Sequence, residues 1–449
     1  MKFLSVGLPE DVQRELFLGN IGKALQLIEK KLTSPLPKLL KERLLYEKER
    51  LNRLILDYPY SIKDAKKIAK KTIKGFSELE FEQLLNNGDL DYIIIDGNMY
   101  FEKRFAFNIG FKYDEYKKRI KTDEKVLKGR ELLHNRLDKI INGDKNKSYK
   151  VKARITVTPD YENIMGEKIK VWLPIPHESF QISNVKILDT SHEKFTILNS
   201  QQRTIYFEDE TTNKSSFYVE FEYKISEWID NIDINKVTEI NFSNYKEFLV
   251  EKPPHILFTH YLKNLTEEIV GNEKNPYLKA KLIYDWITLN IKYSYVKPYG
   301  IYENIPQFVA TNLKGDCGFQ ALLFITMCRI ARIPSRWQSG WYINKYFASP
   351  HDWALFYIEP YGWLPADLSF GGARRNIPKY RKFYFGNLDG FRMVANNDFM
   401  VRLKNKKYYR SDPYDNQVGE LETELGNIYS DKYTYKIKVI SFEEVDDNE

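Results

Sequence analysis

The spacing of apolar residues changes twice along this chain of 449 residues. Up to about residue 141, apolar residues recur every three to four positions, as at 24–32, and this period predicts helices. After the polar stretch 142–147 they alternate at every second position, as at 151–157 and 217–223, which predicts strands. From about residue 246 the two patterns are mixed. The sequence therefore predicts an α+β protein.

These changes of period divide the chain into three predicted domains. Residues 1–145 are predicted to be mainly helical, with a small hairpin at 92–100 around the turn at Asp96 and Gly97. Residues 146–245 are predicted to form a β-sandwich, because several alternating strands are separated by turn residues. Residues 246–449 are predicted to form a mixed α and β domain that ends with a strand at 433–439 and an acidic tail.

Composition and charge narrow the function classes. Hydrophobic residues make up 43% of the chain and aromatic residues 15%, as in a packed globular protein. Lys and Arg number 69 against 62 Asp and Glu, a net charge of only +7 with both signs interspersed, so no nucleic-acid partner is predicted. The apolar stretch at the beginning of the sequence is too short for the core of a signal peptide, and no apolar stretch is long enough to span a membrane. We expect a cytoplasmic protein without membrane contact, or a secreted one if a leader has been removed.

Cys317 is the first candidate for chemistry. A Gly-Asp turn precedes it, and a nearly all-apolar helix follows it until Pro334. The partial positive charge of a helix amino terminus favours a thiolate, which is the nucleophilic form of cysteine. A lone cysteine is more often an inert core residue, and Cys328, inside the same apolar helix, is assigned to the core.

His351 and Asp367 make a catalytic role for Cys317 the better prediction. Residues 351–369 are predicted to form two strands around a turn near Pro360, which would place Asp367 opposite His351 or one diagonal step away. A nucleophile needs a base within hydrogen-bond reach, and the base needs a third group to orient it. Cysteine, histidine and aspartate supply these three roles. Taken singly, each residue has a more ordinary structural explanation; taken together, they predict a catalytic site.

Four segments that contain or flank these residues resemble the transglutaminase-like superfamily: Gly-Asp-Cys-Gly at 315–318, Arg-Ile-Pro-Ser-Arg at 332–336, His-Asp-Trp at 351–353 and Gly-Trp-Leu-Pro-Ala-Asp at 362–367. The resemblance is specific over about 280–370. Val-Trp-Leu-Pro-Ile-Pro at 171–176 is similar to bacterial members in which a β-sandwich precedes the core. The resemblance implies a papain-like core at 246–449 and a catalytic triad of Cys317, His351 and Asp367.

The resemblance also implies a reaction type. Cys317 would attack an amide carbonyl of a peptide or protein, His351 would deliver a proton to the leaving amine, and the thioester would pass to water or to another amine. Hydrolysis is favoured over transglutamination because nothing marks a site for a lysine acceptor. The Cys317 backbone N–H is the natural first oxyanion donor, and Tyr293, Tyr295 and Gln307 are candidates for the second.

Alternatives and absences complete the predictions. The rival function is a catalytically silent binding or scaffold protein that uses the helical and β-sandwich regions. Trp341 and Trp353 either wall a substrate groove or pack in the core.

His255 and His260 are five apart, the wrong spacing for one helical face, and no catalytic metal is predicted. No glycine pattern indicates a nucleotide, so no cofactor is predicted. The oligomeric state is left open.

Overall fold

The computed structural model describes residues 3, 6–213 and 216–446. The last residues of the predicted acidic tail, 447–449, and the first two residues of the chain lie outside this part. The elements up to residue 145 are mainly helical, as predicted: α1 (Glu10–Phe17), α2 (Ile21–Leu32), α3 (Lys38–Asp57), β1 (Tyr60–Ser61), α4 (Ile62–Thr72), α5 (Glu78–Asn86), β2 (Tyr92–Ile95), β3 (Asn98–Phe101), α6 (Phe105–Lys112), α7 (Asp114–Lys117) and α8 (Glu124–Ile141).

Strands dominate the next region: β4 (Ser148–Pro159), β5 (Lys168–Pro174), β6 (Ile182–Thr190), β7 (Thr196–Leu198), β8 (Thr204–Glu210), β9 (Phe217–Ser226) and β10 (Trp228–Ile229). The mixed remainder consists of α9 (His260–Val270), α10 (Pro276–Asn290), β11 (Lys292–Tyr293), α11 (Ile305–Asn312), β12 (Lys314–Gly315), α12 (Cys317–Ile330), β13 (Ser335–Ile343), β14 (Ala348–Ile358), β15 (Gly362–Ala366), α13 (Leu368–Gly372), α14 (Pro378–Phe383), β16 (Asn387–Leu388), β17 (Arg392–Asn396), β18 (Glu420–Thr423), β19 (Gly426–Ile428) and β20 (Tyr433–Val445).

The chain separates into two compact units. The first contains Met1–Thr122, Glu251–Leu257 and Lys292–Asp316, and the second contains Asp123–Val250, Phe258–Ile291 and Cys317–Glu449. The division into domains at 1–145, 146–245 and 246–449 stays a prediction.

Local sequence explains the helices and the hairpin of the first unit. Ser77 and Glu80 form a reciprocal capping box that starts α5, because each side chain accepts a backbone N–H of the other. The turn at Asp96 and Gly97 joins β2 to β3, so the predicted hairpin is present, and β1 extends it to a sheet in the order β1-β3-β2. The helices bury aromatic residues such as Phe81, Phe101 and Phe105, whose rings contact one another.

Two antiparallel sheets make up the strand-rich part of the second unit. One has the order β20-β4-β9-β6 and the other β19-β18-β5-β8-β7. Alternate residues of β4, Val151 among them, are fully buried, as the two-residue period predicts. Phe207 of β8 and Phe217 of β9 place their ring centroids 6.1 Å apart, so the apolar faces of the two sheets meet. The predicted strand at 433–439 is part of β20, which pairs with β4 and so joins this region.

A third sheet in the second unit, ordered β15-β14-β13-β17, carries the candidate site. The helix α12 packs against β13 and β14, and the ring of Phe324 meets that of Phe356 edge-on at 5.8 Å. Every residue of α12 from Cys317 to Arg329 is buried. Because a helix wholly surrounded by protein is held on all sides, its first residue has a fixed position. Among the described residues, no helix has both the length and the apolar character needed to cross a membrane.

His255 of the first unit generates a prediction about stability. Its ring is fully buried, Nδ1 accepts the N–H of Ile305 at 3.0 Å, and burial lowers its pKa from 6.5 to about 3. Between pH 6.5 and 3, His255 binds a proton in the unfolded chain but stays neutral in the folded chain. Protonation therefore favours the unfolded chain, so the stability contributed by neutral His255 is complete above pH 6.5 and declines as the pH falls toward 3. We expect the free energy of unfolding, measured with urea, to fall across this range.

The matched variant is His255→Asn, whose side-chain oxygen can replace Nδ1 as the acceptor but does not titrate. The variant loses some packing at every pH, and its stability should fall less between pH 7 and 4 than that of the wild type. Equal pH dependence of the two proteins would contradict this role for His255.

Candidate active site

Cys317 is the first residue of α12, as the sequence predicts. Its exposed fraction is 9%, so the sulfur lies at the edge of the core. The first N–H groups of a helix have no partner within the helix, and they carry partial positive charge. A carbonyl oxygen that approaches the sulfur therefore approaches these N–H groups also. The thiol itself donates a hydrogen bond to Oδ2 of Asp352 at 3.1 Å.

The structure brings His351 and Asp367 together. In the register of β14 and β15, Ala354 faces Ala366, so Asp367 lies one diagonal step from His351. The Nε2 of His351 lies 2.6 Å from Oδ2 of Asp367, and both side chains are buried. An ionised carboxylate can only accept, so Nε2 carries the hydrogen and the neutral ring keeps the lone pair of Nδ1 free to take a proton.

Asp367 is held from several directions. It follows β15 directly and caps α13, where its Oδ1 accepts the N–H of Phe370 at 2.9 Å. Its other oxygen, Oδ2, lies 2.9 Å from the guanidinium of Arg392. Arg392 is fully buried and also lies 3.2 Å from the carboxylate of Asp389. The ring of Phe370 lies 4.8 Å from this guanidinium. Asp367 therefore has one fixed position from which to orient the imidazole.

The charges of this cluster set the protonation states of the His351 and Asp367 pair. Burial lowers the pKa of His351, and this effect exceeds the opposing attraction of Asp367. For Asp367, burial favours the neutral acid, but His351 and Arg392 outweigh burial and lower its pKa. Both directions agree on a neutral imidazole beside an ionised carboxylate. His351 is thus a base that is ready to accept a proton near neutral pH.

Several residues at the site were not predicted from the sequence. Asp352 belongs to the His-Asp-Trp segment at 351–353, and the sequence alone assigns it no role. Arg392 and Asp389 lie more than twenty residues beyond Asp367, and no local pattern links them to it. Gln417 donates to Oδ1 of Asp352 at 2.6 Å from a segment without regular structure, where sequence periodicity carries no information.

The candidates for a second oxyanion donor belong to the first unit. Tyr293 pairs with Gly315 in the short parallel pair of β11 and β12. The ring of Tyr295 lies edge-on to Phe111, with centroids 5.4 Å apart. Gln307 is in the first turn of α11. All three therefore stay predictions as oxyanion donors.

The remaining sequence candidates are core residues. Trp341 and Trp353 are fully buried, and their indole N–H groups donate to the backbone oxygen of Gln417 and to Oε1 of Gln338, each at 2.7 Å. Of their two predicted roles, both tryptophans therefore have core packing and not the wall of a substrate groove. Cys328 is fully buried, and burial raises its pKa far above that of a free thiol, which agrees with its assignment to the core. Within 3, 6–213 and 216–446, no group of three or more His, Cys, Asp or Glu is arranged to hold a metal ion.

Comparison with known families identifies the core. Residues 263–368 match the family model of the transglutaminase-like superfamily. The matched range includes Cys317, His351 and Asp367. The chain therefore contains a transglutaminase-like domain, within an α+β protein whose amino-terminal region is helical.

The relatives and solved structures are similar to this chain at low sequence identity. An uncharacterised protein from Haemophilus influenzae is 26% identical, and the match covers 29% of this chain and 41% of that relative, so the chain spans less than half of the relative's length. A crystal structure of a candidate cysteine protease from Cytophaga hutchinsonii has 16% identity and a TM-score of 0.43, and it covers 66% of this chain and 91% of its own. The periplasmic domain of TgpA from Pseudomonas aeruginosa has 12% identity and a TM-score of 0.28, with coverage of 50% and 96% respectively.

The buried position of Arg392 predicts a large loss of stability in Arg392→Gln. The variant would leave the buried carboxylates of Asp367 and Asp389 without their cation, and breaking a buried ion pair costs about 3 kcal/mol or more. Chemical denaturation measures the change in the free energy of unfolding. The control is Arg154→Gln, whose side chain is 33% exposed and bridges Glu220 and Asp189, and which should cost less than about 1 kcal/mol. Similar losses in the two variants would contradict the bracing role.

Proposed function

We propose that this protein is a cysteine hydrolase that cleaves amide bonds of peptides or proteins through a thioester on Cys317. The observation that carries the proposal is the buried His351 and Asp367 pair in a transglutaminase-like domain whose cysteine begins a buried helix. The family match supports thiol-dependent acyl transfer or hydrolysis as a class. Hydrolysis and the roles of the three residues are the finer part of the proposal.

The steps follow from the protonation states of the site. The sulfur of Cys317 attacks the amide carbonyl while its proton passes to Nδ1 of His351. The resulting imidazolium is stabilised by Asp367 through the Nε2 hydrogen bond of 2.6 Å. The imidazolium then gives its proton to the leaving amine as the carbon–nitrogen bond breaks. Water then attacks the thioester carbonyl as His351 takes its proton, the carbon–sulfur bond breaks to release the acid, and the proton returns to the sulfur of Cys317.

The charge that develops on the carbonyl oxygen needs donors placed in advance. In the proposal, the backbone N–H of Cys317 is the first donor, because Cys317 is the first residue of α12. The helix adds the field of its amino terminus at the same place.

Substitution of Cys317 tests the nucleophile. Cys317→Ala should lower kcat/KM for a responsive substrate by about a thousandfold or more, because no other group can form the thioester. Release of a fluorescent amine from a library of peptide amides measures the activity. Mass spectrometry of the quenched reaction should find an acyl adduct on Cys317 of the wild type.

Cys328→Ala is the matched control, since it removes the other cysteine of the same helix. It should keep most of the activity, and His351→Ala should lose nearly all of it. If the wild type and Cys317→Ala release amine equally slowly while both are folded, the proposed hydrolase is rejected. The rival binding or scaffold function would then be the better explanation.

The choice of acceptor can be measured on the same acyl adduct. With a substrate that acylates Cys317, we expect the free acid as the main product, even when a lysine peptide is present at millimolar concentration. Mass spectrometry distinguishes the acid from the amine-linked product. If the lysine adduct is the main product, the proposed reaction is transglutamination and not hydrolysis. The proposed role of Cys317 as the nucleophile is the same in both reactions.

A further inference from the structure

The carboxylate nearest to the Cys317 sulfur belongs to Asp352 and not to the proposed triad. Oδ2 of Asp352 accepts the thiol hydrogen at 3.1 Å, and the side chain is only 6% exposed. Its other oxygen, Oδ1, accepts from Nε2 of Gln417 at 2.6 Å. The same Nε2 donates to the backbone oxygen of His351 at 3.1 Å. The side chain of Asp352 is therefore held between the sulfur of Cys317 and the side chain of Gln417.

A second buried carboxyl group stands behind Asp352. Asp415 is 4% exposed, and its side chain is hydrogen-bonded to Asp352 and to the hydroxyl of Ser339. Ser339 faces Asp352 in the register of β13 and β14. Two carboxyl groups can be hydrogen-bonded to each other only if one proton lies between them. Asp352 and Asp415 therefore share a proton.

Other charged groups around this pair determine how tightly the proton is held. Burial raises the pKa of Asp415 to about 7, and the negative charge of Asp412 adds to the effect. Arg410 opposes it, and this residue donates to the backbone oxygen of Asp415 at 2.5 Å. Glu420 supplies further negative charge beside Asp412. The pair therefore carries more negative charge above pH 7 than below it.

This arrangement acts on the sulfur in the direction opposite to the helix terminus. A thiolate beside an ionised Asp352 would place two negative charges about 3 Å apart in a buried setting, where like charges repel strongly. A neutral thiol instead donates its hydrogen to the carboxylate. Its proposed partner His351 also favours the neutral form, because burial lowers its pKa. At rest, both members of the pair are therefore uncharged.

We propose that Asp352 controls the protonation state of the nucleophile and holds Cys317 as a neutral thiol until the sulfur attacks. The inference rests on the proposed function only in taking Cys317 as the nucleophile. In the attack, the S–H bond breaks, its proton passes to Nδ1 of His351, the sulfur–carbon bond forms, and the carbonyl π electrons move to oxygen. Asp352 keeps its protonation state throughout. The reaction is thus assisted by a general base and does not begin from a thiolate and imidazolium pair.

Asp352→Asn tests the inference without a substrate. The amide is the same size, carries no charge, and can donate to the sulfur, so the thiolate becomes easier to form. We expect the rate of iodoacetamide alkylation of Cys317 at pH 6 to rise at least tenfold, with the modified residue identified by mass spectrometry. The thiolate absorbance near 240 nm should appear at lower pH than in the wild type. Cys317→Ala with Asp352→Asn supplies the spectral blank.

Asp415→Asn is the matched control. It keeps a donor to Asp352 but removes the titration, so its alkylation rate should equal that of the wild type below pH 7 and exceed it above pH 7. If Asp352→Asn folds poorly, Gln417→Leu serves instead: losing its donor makes Asp352 easier to protonate, and alkylation should rise by a smaller factor. Unchanged or slower alkylation in a folded Asp352→Asn or Gln417→Leu overturns the inference.

The result is separable from the proposed function. Amide hydrolysis by the wild type together with unchanged alkylation of Asp352→Asn rejects the role of Asp352 and leaves the hydrolase. Faster alkylation of the variant without any amide turnover by the wild type supports the effect of Asp352 on the thiol and rejects the hydrolase.

Discussion

The candidate site depends on one fully buried cation, Arg392, held between Asp367 and Asp389. An ionised carboxylate without a partner would not be stable at this depth, and it would take up a proton or force the surrounding chain to rearrange. Arg392 supplies the compensating charge, and the ring of Trp353 lies 5.1 Å from its guanidinium. This compensation acts together with His351 and the N–H of Phe370 to keep Asp367 ionised.

The same cation joins the site to the sheets behind it. Tyr223 of β9 donates its hydroxyl hydrogen to the backbone oxygen of Arg392 at 3.1 Å, and Gln181 donates to the backbone oxygen of Asp389 at 3.0 Å. On the other side, the segment that carries Gln417 continues directly into β18, which pairs with β5. Strands outside the matched family range therefore hold both ends of the candidate site. A transglutaminase-like core cut out at 263–368 would lack Arg392, Asp389 and Gln417.

The sequence predicted the features of the site that depend on neighbouring residues in the chain. It did not predict contacts between residues that lie far apart in the chain. A Gly-Asp turn before an apolar helix was enough to place Cys317. Strand alternation predicted Asp367 opposite His351 or one diagonal step away, and the register of the structure gives the diagonal step. Arg392 could not be predicted, because one arginine among many gives no indication that it will be buried. The pairing of β20 with β4 joins residues almost three hundred positions apart, and alternation predicts a strand without naming its neighbour.

Three influences compete for the proton of Cys317, and burial decides among them. The amino terminus of α12 favours the thiolate, but its effect at an exposed site is worth only about 0.3 to 1 kcal/mol. A carboxylate in contact with the sulfur is a full charge, and solvent screens it little because Asp352 is 6% exposed. An imidazolium could offset that charge, but burial lowers the pKa of His351 and so disfavours its protonated form. We therefore expect a neutral thiol beside a neutral imidazole, and in the proposed reaction proton transfer accompanies the attack of the sulfur.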